Sequence, residues 1–154
     1  MALEIERRFL IKNDDWKEFI TKKIVIEQGY LTKNLDDWII RIRFTEKDFK
    51  IALKKHIKSF TNFEFEYSIP PKDGEIIMGN LSNTIKKERF FLEVENKSWI
   101  IDCFKDNNYP LKIAEIELSN EEDNLNLPSF LSKEITGLTH YSNFSLSNRP
   151  FSKW

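Results

Sequence analysis

Near the start of the chain stands Glu4-Ile5-Glu6-Arg7-Arg8. In a strand, side-chain direction repeats every second residue, so Glu4, Glu6 and Arg8 share one face. The other face carries Leu3, Ile5, Arg7 and Phe9. The same spacing returns in Glu64 and Glu66 and in Glu115 and Glu117. In basic form it returns in Arg41 and Arg43 and in Lys87 and Arg89, with Lys54 and Asp102 adding single charges. Carboxylates are hard-oxygen ligands suited to Mg²⁺ or Mn²⁺. Arginine grips two phosphoryl oxygens at once, and lysine supplies a compact positive charge. Together these residue types could handle a polyphosphate with the help of metal.

The plainer alternative is a sheet with one dry and one wet face. Ile40, Ile42 and Phe44, then Phe63 and Phe65, then Ala114, Ile116 and Leu118 lie opposite the charges, as ordinary amphipathic patterning requires. Several same-sign pairs in one chain weigh against it. In an enclosed setting, like charges roughly 7 Å apart repel by about 2 kcal/mol at an effective dielectric near 20. Water and salt screen that repulsion on an open surface. A closed, charged interior would need counterions or a ligand, and a polyphosphate with divalent metal supplies both signs.

The elements that must carry these faces are mostly strands. Residues 3–11 read as the first, and Asn13-Asp14-Asp15 can cap a short helix over Trp16–Lys22. Strands follow at Lys23–Leu31, Trp38–Thr45, Phe49–Lys55 and Asn62–Ile69, the last stopped by Pro70-Pro71. Asp73 can cap a short helix around Gly74–Asn80. Three more strands are expected at Ile85–Val94, Ser98–Phe104 and Lys112–Leu118. Pro128 suits the first turn of a helix over Ser129–Thr136, and Gly137 its stop. There is little room for the crossover helices of a parallel sheet. The expectation is an α+β chain of predominantly antiparallel β structure, a barrel or a strongly curved sheet.

At 154 residues the chain fits one domain, residues 1–154, with 13 Phe and 4 Trp for its core. Its 24 basic and 25 acidic residues nearly cancel, so overall charge predicts no nucleic-acid or membrane attraction. One cysteine, Cys103, excludes an intrachain disulfide and reads as a small hydrophobe. No apolar stretch has transmembrane length, and charge begins at Glu4, which leads to the expectation of a cytoplasmic protein. Gly29 belongs to no glycine-rich phosphate loop, and the GxxxxGK[ST] motif is absent. His56 and His140 have no metal-ligand spacing, and the Lys54–Lys58 run reads as a strand end and turn.

Read in order, these blocks resemble the CYTH, or triphosphate tunnel metalloenzyme, family. Glu4-Ile5-Glu6-Arg7-Arg8 is similar to the family's opening ExExK signature, with Arg8 in place of the lysine. Gln28-Gly29-Tyr30-Leu31, Arg41-Ile42-Arg43 and Ile51-Ala52-Leu53-Lys54 match the next blocks, and Glu64-Phe65-Glu66-Tyr67-Ser68-Ile69-Pro70 the EFEYxIP segment. Lys87-Glu88-Arg89, Trp99 with Asp102, Ala114-Glu115-Ile116-Glu117-Leu118, Lys133–Gly137 and Tyr141-Ser142-Asn143 continue in the family's order. Asn62 stands where many relatives carry a basic residue, Ile100 interrupts a Trp-Glu-Val-Asp pattern, and His140 replaces a frequent Arg or Lys.

The resemblance implies a closed eight-stranded antiparallel β-barrel, the triphosphate tunnel, with short flanking helices. It implies Mg²⁺ or Mn²⁺ held by Glu4, Glu6, Asp102, Glu115 and Glu117, and triphosphate held by Arg8, Arg41, Arg43, Lys54, Lys87, Arg89 and Lys133. Lys133 would act from the terminal helix. Glu64 and Glu66 would support the acidic side, and Glu4, Glu6, Lys87, Asp102 and Glu117 would serve catalysis. The implied activity is metal-dependent hydrolysis of inorganic triphosphate to pyrophosphate and phosphate. Thiamine-triphosphate hydrolysis or adenylate cyclisation on the same tunnel, and a non-catalytic polyphosphate-binding module, are the alternatives. The expected partner is inorganic triphosphate or another triphosphate-containing small molecule, with no nucleic acid or membrane, and a homodimer is allowed.

Overall fold

The computed structural model describes residues 2–154. Its strands are β1 (Leu3–Ile11), β2 (Ile20–Tyr30), β3 (Ile39–Thr45), β4 (Asp48–Lys58) and β5 (Thr61–Ile69), then β6 (Thr84–Val94), β7 (Lys97–Phe104), β8 (Lys112–Glu117) and β9 (Leu131–Glu134). Helices α1 (Pro71–Gly79) and α2 (Asn143–Asn148) and four short 3-10 turns complete it. The spatial order is β5-β4-β3-β2-β6-β7-β8-β1-β9, and β5 also pairs with β1. Strands β1 to β8 thus close an antiparallel barrel, with β9 appended.

The closure is narrow and explains where β9 goes. One edge of β1 pairs with β8 over Glu6–Leu10. Its other edge pairs with β5 only over Leu3–Ile5. Beyond that point the edge is vacant, and β9 fills it through Phe9↔Glu134 and Ile11↔Leu131. The helix expected over Ser129–Thr136 is therefore not formed. Local signals in that segment favour a helix, but the unsatisfied donors and acceptors of the β1 edge recruit it as a strand. Gly137 still turns left-handed, at φ +77°, and ends the strand rather than a helix.

Two other local expectations shift. Asp15–Phe19 forms one 3-10 turn in place of a helix reaching Lys22, because β2 begins at Ile20 to pair with Leu92 of β6. Helix α1 starts at Pro71, and Asp73 lies in its first turn without capping it. Gly74 in that helix has a packing reason: a Cβ there would lie 2.1 Å from Cγ of Phe49. The hairpin joining β6 and β7 closes through Glu95 and Asn96, both at positive φ, the geometry of a two-residue turn matched to strand twist.

The apolar side chains form two cores. Outside the barrel, Phe9, Trp99, Ile101, Ala114 and Ile116 pack against Trp16, Phe130 and Leu131. Each large buried side chain of this kind contributes roughly 1.5–3 kcal/mol. Ile85, Phe104, Leu111, Ile113, Ile135 and Leu146 make the second core, in which α2 and the end of β9 stopper one end of the barrel. What remains of the interior is polar.

Candidate active site

Strand register decides which charges meet. Arg8 stands opposite Glu115 and Glu6 opposite Glu117 across β1 and β8. Lys54 faces Glu64 across β4 and β5, Arg89 faces Asp102 across β6 and β7, and Arg43 faces Gln28 across β3 and β2. The Arg8–Glu115, Lys54–Glu64 and Arg89–Asp102 rungs thus match opposite signs, which stabilises neighbouring strands. Glu6 instead meets Glu117, and Arg43 meets neutral Gln28 on β2 and Lys50 on β4.

The inward side chains enclose a chamber of about 520 Å³ whose lining includes Glu4, Glu6, Arg41, Arg43, Glu64 and Glu66, with Lys54, Arg89, Glu115, Glu117 and Asn143. A second opening of about 400 Å³ meets it at Glu6 and Lys54 and passes Arg8, His56 and Asn62. Its remaining wall includes Leu35, Ile39, Phe60 and Leu138. The barrel is therefore open at two mouths of unlike chemistry.

Beneath the chamber lies a sealed ionic cluster. Asp102 and Lys87 are fully buried and joined at 2.7 Å. Arg89 adds a two-pronged contact, Nε to Oδ1 at 2.8 Å and Nη2 to Oδ2 at 2.9 Å. Burial alone would raise the Asp102 carboxyl, but Arg89 and Lys87 hold it well below the usual carboxylate range. Arg89 also reaches Glu115 Oε2 at 3.7 Å, but Lys87 has Asp102 as its only direct carboxylate among the described residues. Burial, with Arg89 and Arg43 adding to it, pushes the Lys87 ammonium down to about 7 against the pull of Asp102.

Around the chamber the balance is incomplete in both signs. Arg43 donates from Nε to Gln28 Oε1 at 2.9 Å and meets no carboxylate. Burial, with Arg41 and Arg89 nearby, brings its guanidinium down to about 10. Opposite it, burial and then Glu115 raise the Glu6 carboxyl to about 7. Burial also raises Glu4, partly offset by Lys54, which contacts it directly. Arg41 is taken up by Glu66 at 2.9 Å and Glu64 at 3.5 Å. Glu64 Oε2 is buried without a hydrogen bond, as is Nη2 of Arg8. Glu117 is exposed and lines the chamber.

These residues fit a divalent cation in a particular way. Among the described residues, no three carboxylate, His or Cys side chains are already gathered around one point. Glu4, Glu6, Glu64 and Glu117 are the chamber carboxylates that would offer hard oxygens to such an ion, the first three shared with Lys54. Mg²⁺ ordinarily takes only one or two carboxylates and completes its octahedron with water and substrate phosphate oxygens. Asp102 is fully buried with both oxygens accepting from Lys87 and Arg89, so a metal bound there would compete with those contacts.

Of the residues singled out from sequence, Glu4, Glu6, Arg41, Arg43, Lys54, Glu64, Glu66, Arg89, Glu115 and Glu117 line the chamber together. Arg8 lies at the second opening. Lys133 is apart: it sits on exposed β9, not on a terminal helix, and lines neither mouth. His140 is outside as well, stacked 4.5 Å from Tyr141 and 5.1 Å from Trp154. Two site residues were not singled out. Gln28, fully buried, has a signal in strand phase, since it faces Arg43. Asn143 reaches the chamber from α2, where strand periodicity is no guide.

No family model matches the chain. An inorganic triphosphatase of Acetivibrio thermocellus is 31% identical over 154 residues, an alignment covering 98% of this chain and 97% of that protein. The crystal structure of the inorganic triphosphatase NE1496 superposes with a TM-score of 0.70 at 24% identity, over 96% of this chain and 95% of that one. HpAC1 from Hippeastrum, described as having a dominant triphosphatase activity, superposes with a TM-score of 0.59 at 16% identity, over 79% and 81%. The two structural likenesses carry the fold, and the full-length sequence relationship carries the kinship. Together with a closed eight-stranded barrel lined by both signs of charge, they place this chain in the triphosphate tunnel metalloenzyme (CYTH) family.

Proposed function

We propose that the protein hydrolyses inorganic triphosphate to pyrophosphate and phosphate with Mg²⁺ or Mn²⁺, residues 1–154 acting as one tunnel domain. The carrying observation is the doubly unbalanced chamber: Arg43 lacks a carboxylate on one wall, and Glu6 faces Glu117 on another. A polyanion alone would answer the first and a cation alone the second. A metal-bound triphosphate answers both, and the relative from Acetivibrio thermocellus is named for that activity.

The basic residues divide the work by their existing commitments. Arg43 and the orphaned Nη2 of Arg8 are free to take phosphoryl oxygens. Arg41, Lys54 and Arg89 are held by carboxylates and present fixed positive potential along the chain of phosphates. Asp102 acts through Lys87 and Arg89, fixing them under the chamber. A divalent cation held beside Glu4, Glu6 and Glu117 would supply charge neutralisation and lower the pKa of bound water. Water attacks the terminal phosphorus and gives up a proton to solvent, the bond to the bridging oxygen breaks, and pyrophosphate leaves with that electron pair. In this reading Glu117, exposed and without a partner among the described residues, orients the attacking water.

The second opening favours a second reading. Leu35, Ile39, Phe60 and Leu138 line it, and such a wall suits an organic ester group better than a fourth phosphate. Purified protein tested on inorganic triphosphate, thiamine triphosphate and nucleoside triphosphates, with Mg²⁺ and with Mn²⁺, decides between them. The expected result is metal-dependent release of phosphate and pyrophosphate from inorganic triphosphate, with little nucleotide turnover and no cyclic nucleotide. Binding without turnover would overturn the enzymatic reading. The proposal extends to a cytoplasmic enzyme acting on small molecules, with a homodimer to be tested by sedimentation. No helix among the described residues is long and apolar enough to cross a membrane.

A further inference from the structure

Lys87 is fully buried and does not line the chamber, so its ammonium has no direct face toward a substrate there. Its Nζ donates to Asp102 Oδ2 at 2.7 Å and to Asn143 Oδ1 at 3.0 Å. Asn143 does line the chamber. The Asn143 oxygen is the amide atom that faces Lys87, which is the orientation an ammonium donor requires. Its Nδ2 is then left with two N–H donors. That nitrogen has no hydrogen-bond partner among the described residues and is not sealed from solvent, in a residue that lines the chamber.

The scaffold holds this amide firmly. Ser142 caps α2, its Oγ accepting from the Ser145 N–H at 3.1 Å, which puts Asn143 at the first helical position. Phe144 meets Tyr30 edge-on at 5.4 Å, and Leu146 is sealed into the barrel's end core. Arg8 ties the preceding turn down by donating from Nη1 to the Tyr141 carbonyl at 3.1 Å. An acceptor bound to a cation polarises the rest of its amide, so the opposite N–H becomes a stronger donor in a low-dielectric site.

We propose that Asn143 is a substrate-binding residue of this site. Its Nδ2 donates to a phosphoryl oxygen and carries the influence of the buried Lys87 into the chamber. The inference rests on the triphosphate reading above. It assigns a contact to the C-terminal segment, which the charged strand faces leave out.

Two variants separate this role from simple anchoring of Lys87. N143D keeps an oxygen acceptor for Lys87 but replaces the donor with a carboxylate oxygen where an anion must bind. N143A removes both. The readouts are KM for inorganic triphosphate with Mg²⁺, and the melting-temperature rise produced by inorganic triphosphate in chelator, which does not depend on turnover. The expected result is a KM increase of about tenfold or more for N143A, a larger one for N143D, and the same order in loss of the ligand-induced melting shift. N143D binding as well as wild type, or better than N143A, would overturn the proposal in favour of anchoring. If N143D does not fold, N143A with wild-type KM and melting shift overturns it. Wild-type protein that neither binds nor hydrolyses triphosphate would instead remove the functional reading itself.

Discussion

Glu6 stands directly opposite Glu117 in the β1–β8 ladder, two carboxylates at a position where the next rung on the same face pairs Arg8 with Glu115. Like charges directly opposite destabilise a strand pair by roughly 0.2–1 kcal/mol. A cation would reverse that sign. Glu117→Gln is therefore expected to leave the metal-free protein as stable as wild type or slightly more so. Turnover of inorganic triphosphate should nevertheless fall on the order of a hundredfold. Denaturant melts in chelator, set beside steady-state rates with Mg²⁺, check both halves. A folded variant with wild-type rates would remove Glu117 from the reaction.

The Glu6 carboxyl gives a pH dependence whose sign runs against the usual acidic group. Its folded value is raised from 4.5 to about 7, first by burial and then by Glu115. The folded state therefore binds this proton more tightly than the unfolded chain. That contribution to stability is present below 4.5 and is lost as pH rises through about 7. Compared with Glu6→Gln, metal-free wild type should lose on the order of 1–3 kcal/mol between those limits. Added Mg²⁺ should recover more stability at pH 8 than at pH 5. Equal pH profiles for wild type and Glu6→Gln would contradict the assignment.

Arg43 is the half-buried cation of the chamber with the weakest claim on a partner, its Nε donating to the neutral Gln28. Arg41 and Arg89 both disfavour its charge. Arg43→Ala should accordingly relieve repulsion in the ligand-free protein and cost it little stability. In kinetics the same change is expected to raise KM for triphosphate by about tenfold or more, the worth of a charge-assisted contact. Arg43→Lys should recover part of the loss, since a point charge replaces the planar fork. An unchanged KM in a folded Arg43→Ala protein would place the substrate elsewhere.

How far the chain could be read before folding follows from which interactions are local. The two-residue charge spacing is a property of single strands, so Glu4 and Glu6, Arg41 and Arg43, and Glu64 and Glu66 were legible as inward sets, and all six line the chamber. Register is not local. Nothing in the spelling of β7 says that Asp102 will be consumed by Lys87 and Arg89 from β6. The segment Ser129–Thr136 carried a helix start and stop but answers to the vacant edge of β1, an element more than a hundred residues earlier. Glycine lowers helix propensity at position 74, and the reason it stands there, Phe49 packed against it, is equally non-local. Asn143 was legible only as part of a resembling block, because a helix residue entering a barrel has no strand phase.

Asp102 supplies the test that separates the scaffold of the site from its chemistry. Both of its oxygens are engaged, by Lys87 at 2.7 Å and by Arg89 at 2.8 Å and 2.9 Å, and it has no exposed surface. Asp102→Asn would leave the buried Lys87 facing a neutral amide and the half-buried Arg89 with only its 3.7 Å contact to Glu115. Breaking a buried pair from one side typically costs about 3–5 kcal/mol, far more than removing the exposed carboxylate of Glu117. Asp102→Asn should thus unfold at clearly lower denaturant in the absence of metal, where Glu117→Gln does not. Because the native carboxyl is held low, its stabilisation should persist at every pH above the unfolded value of 3.8 and disappear only in stronger acid. If Asp102→Asn instead kept full metal-free stability and lost only metal affinity, its carboxylate would have to leave Lys87 and Arg89 to bind the ion. The assignment of Asp102 as their anchor would then fall.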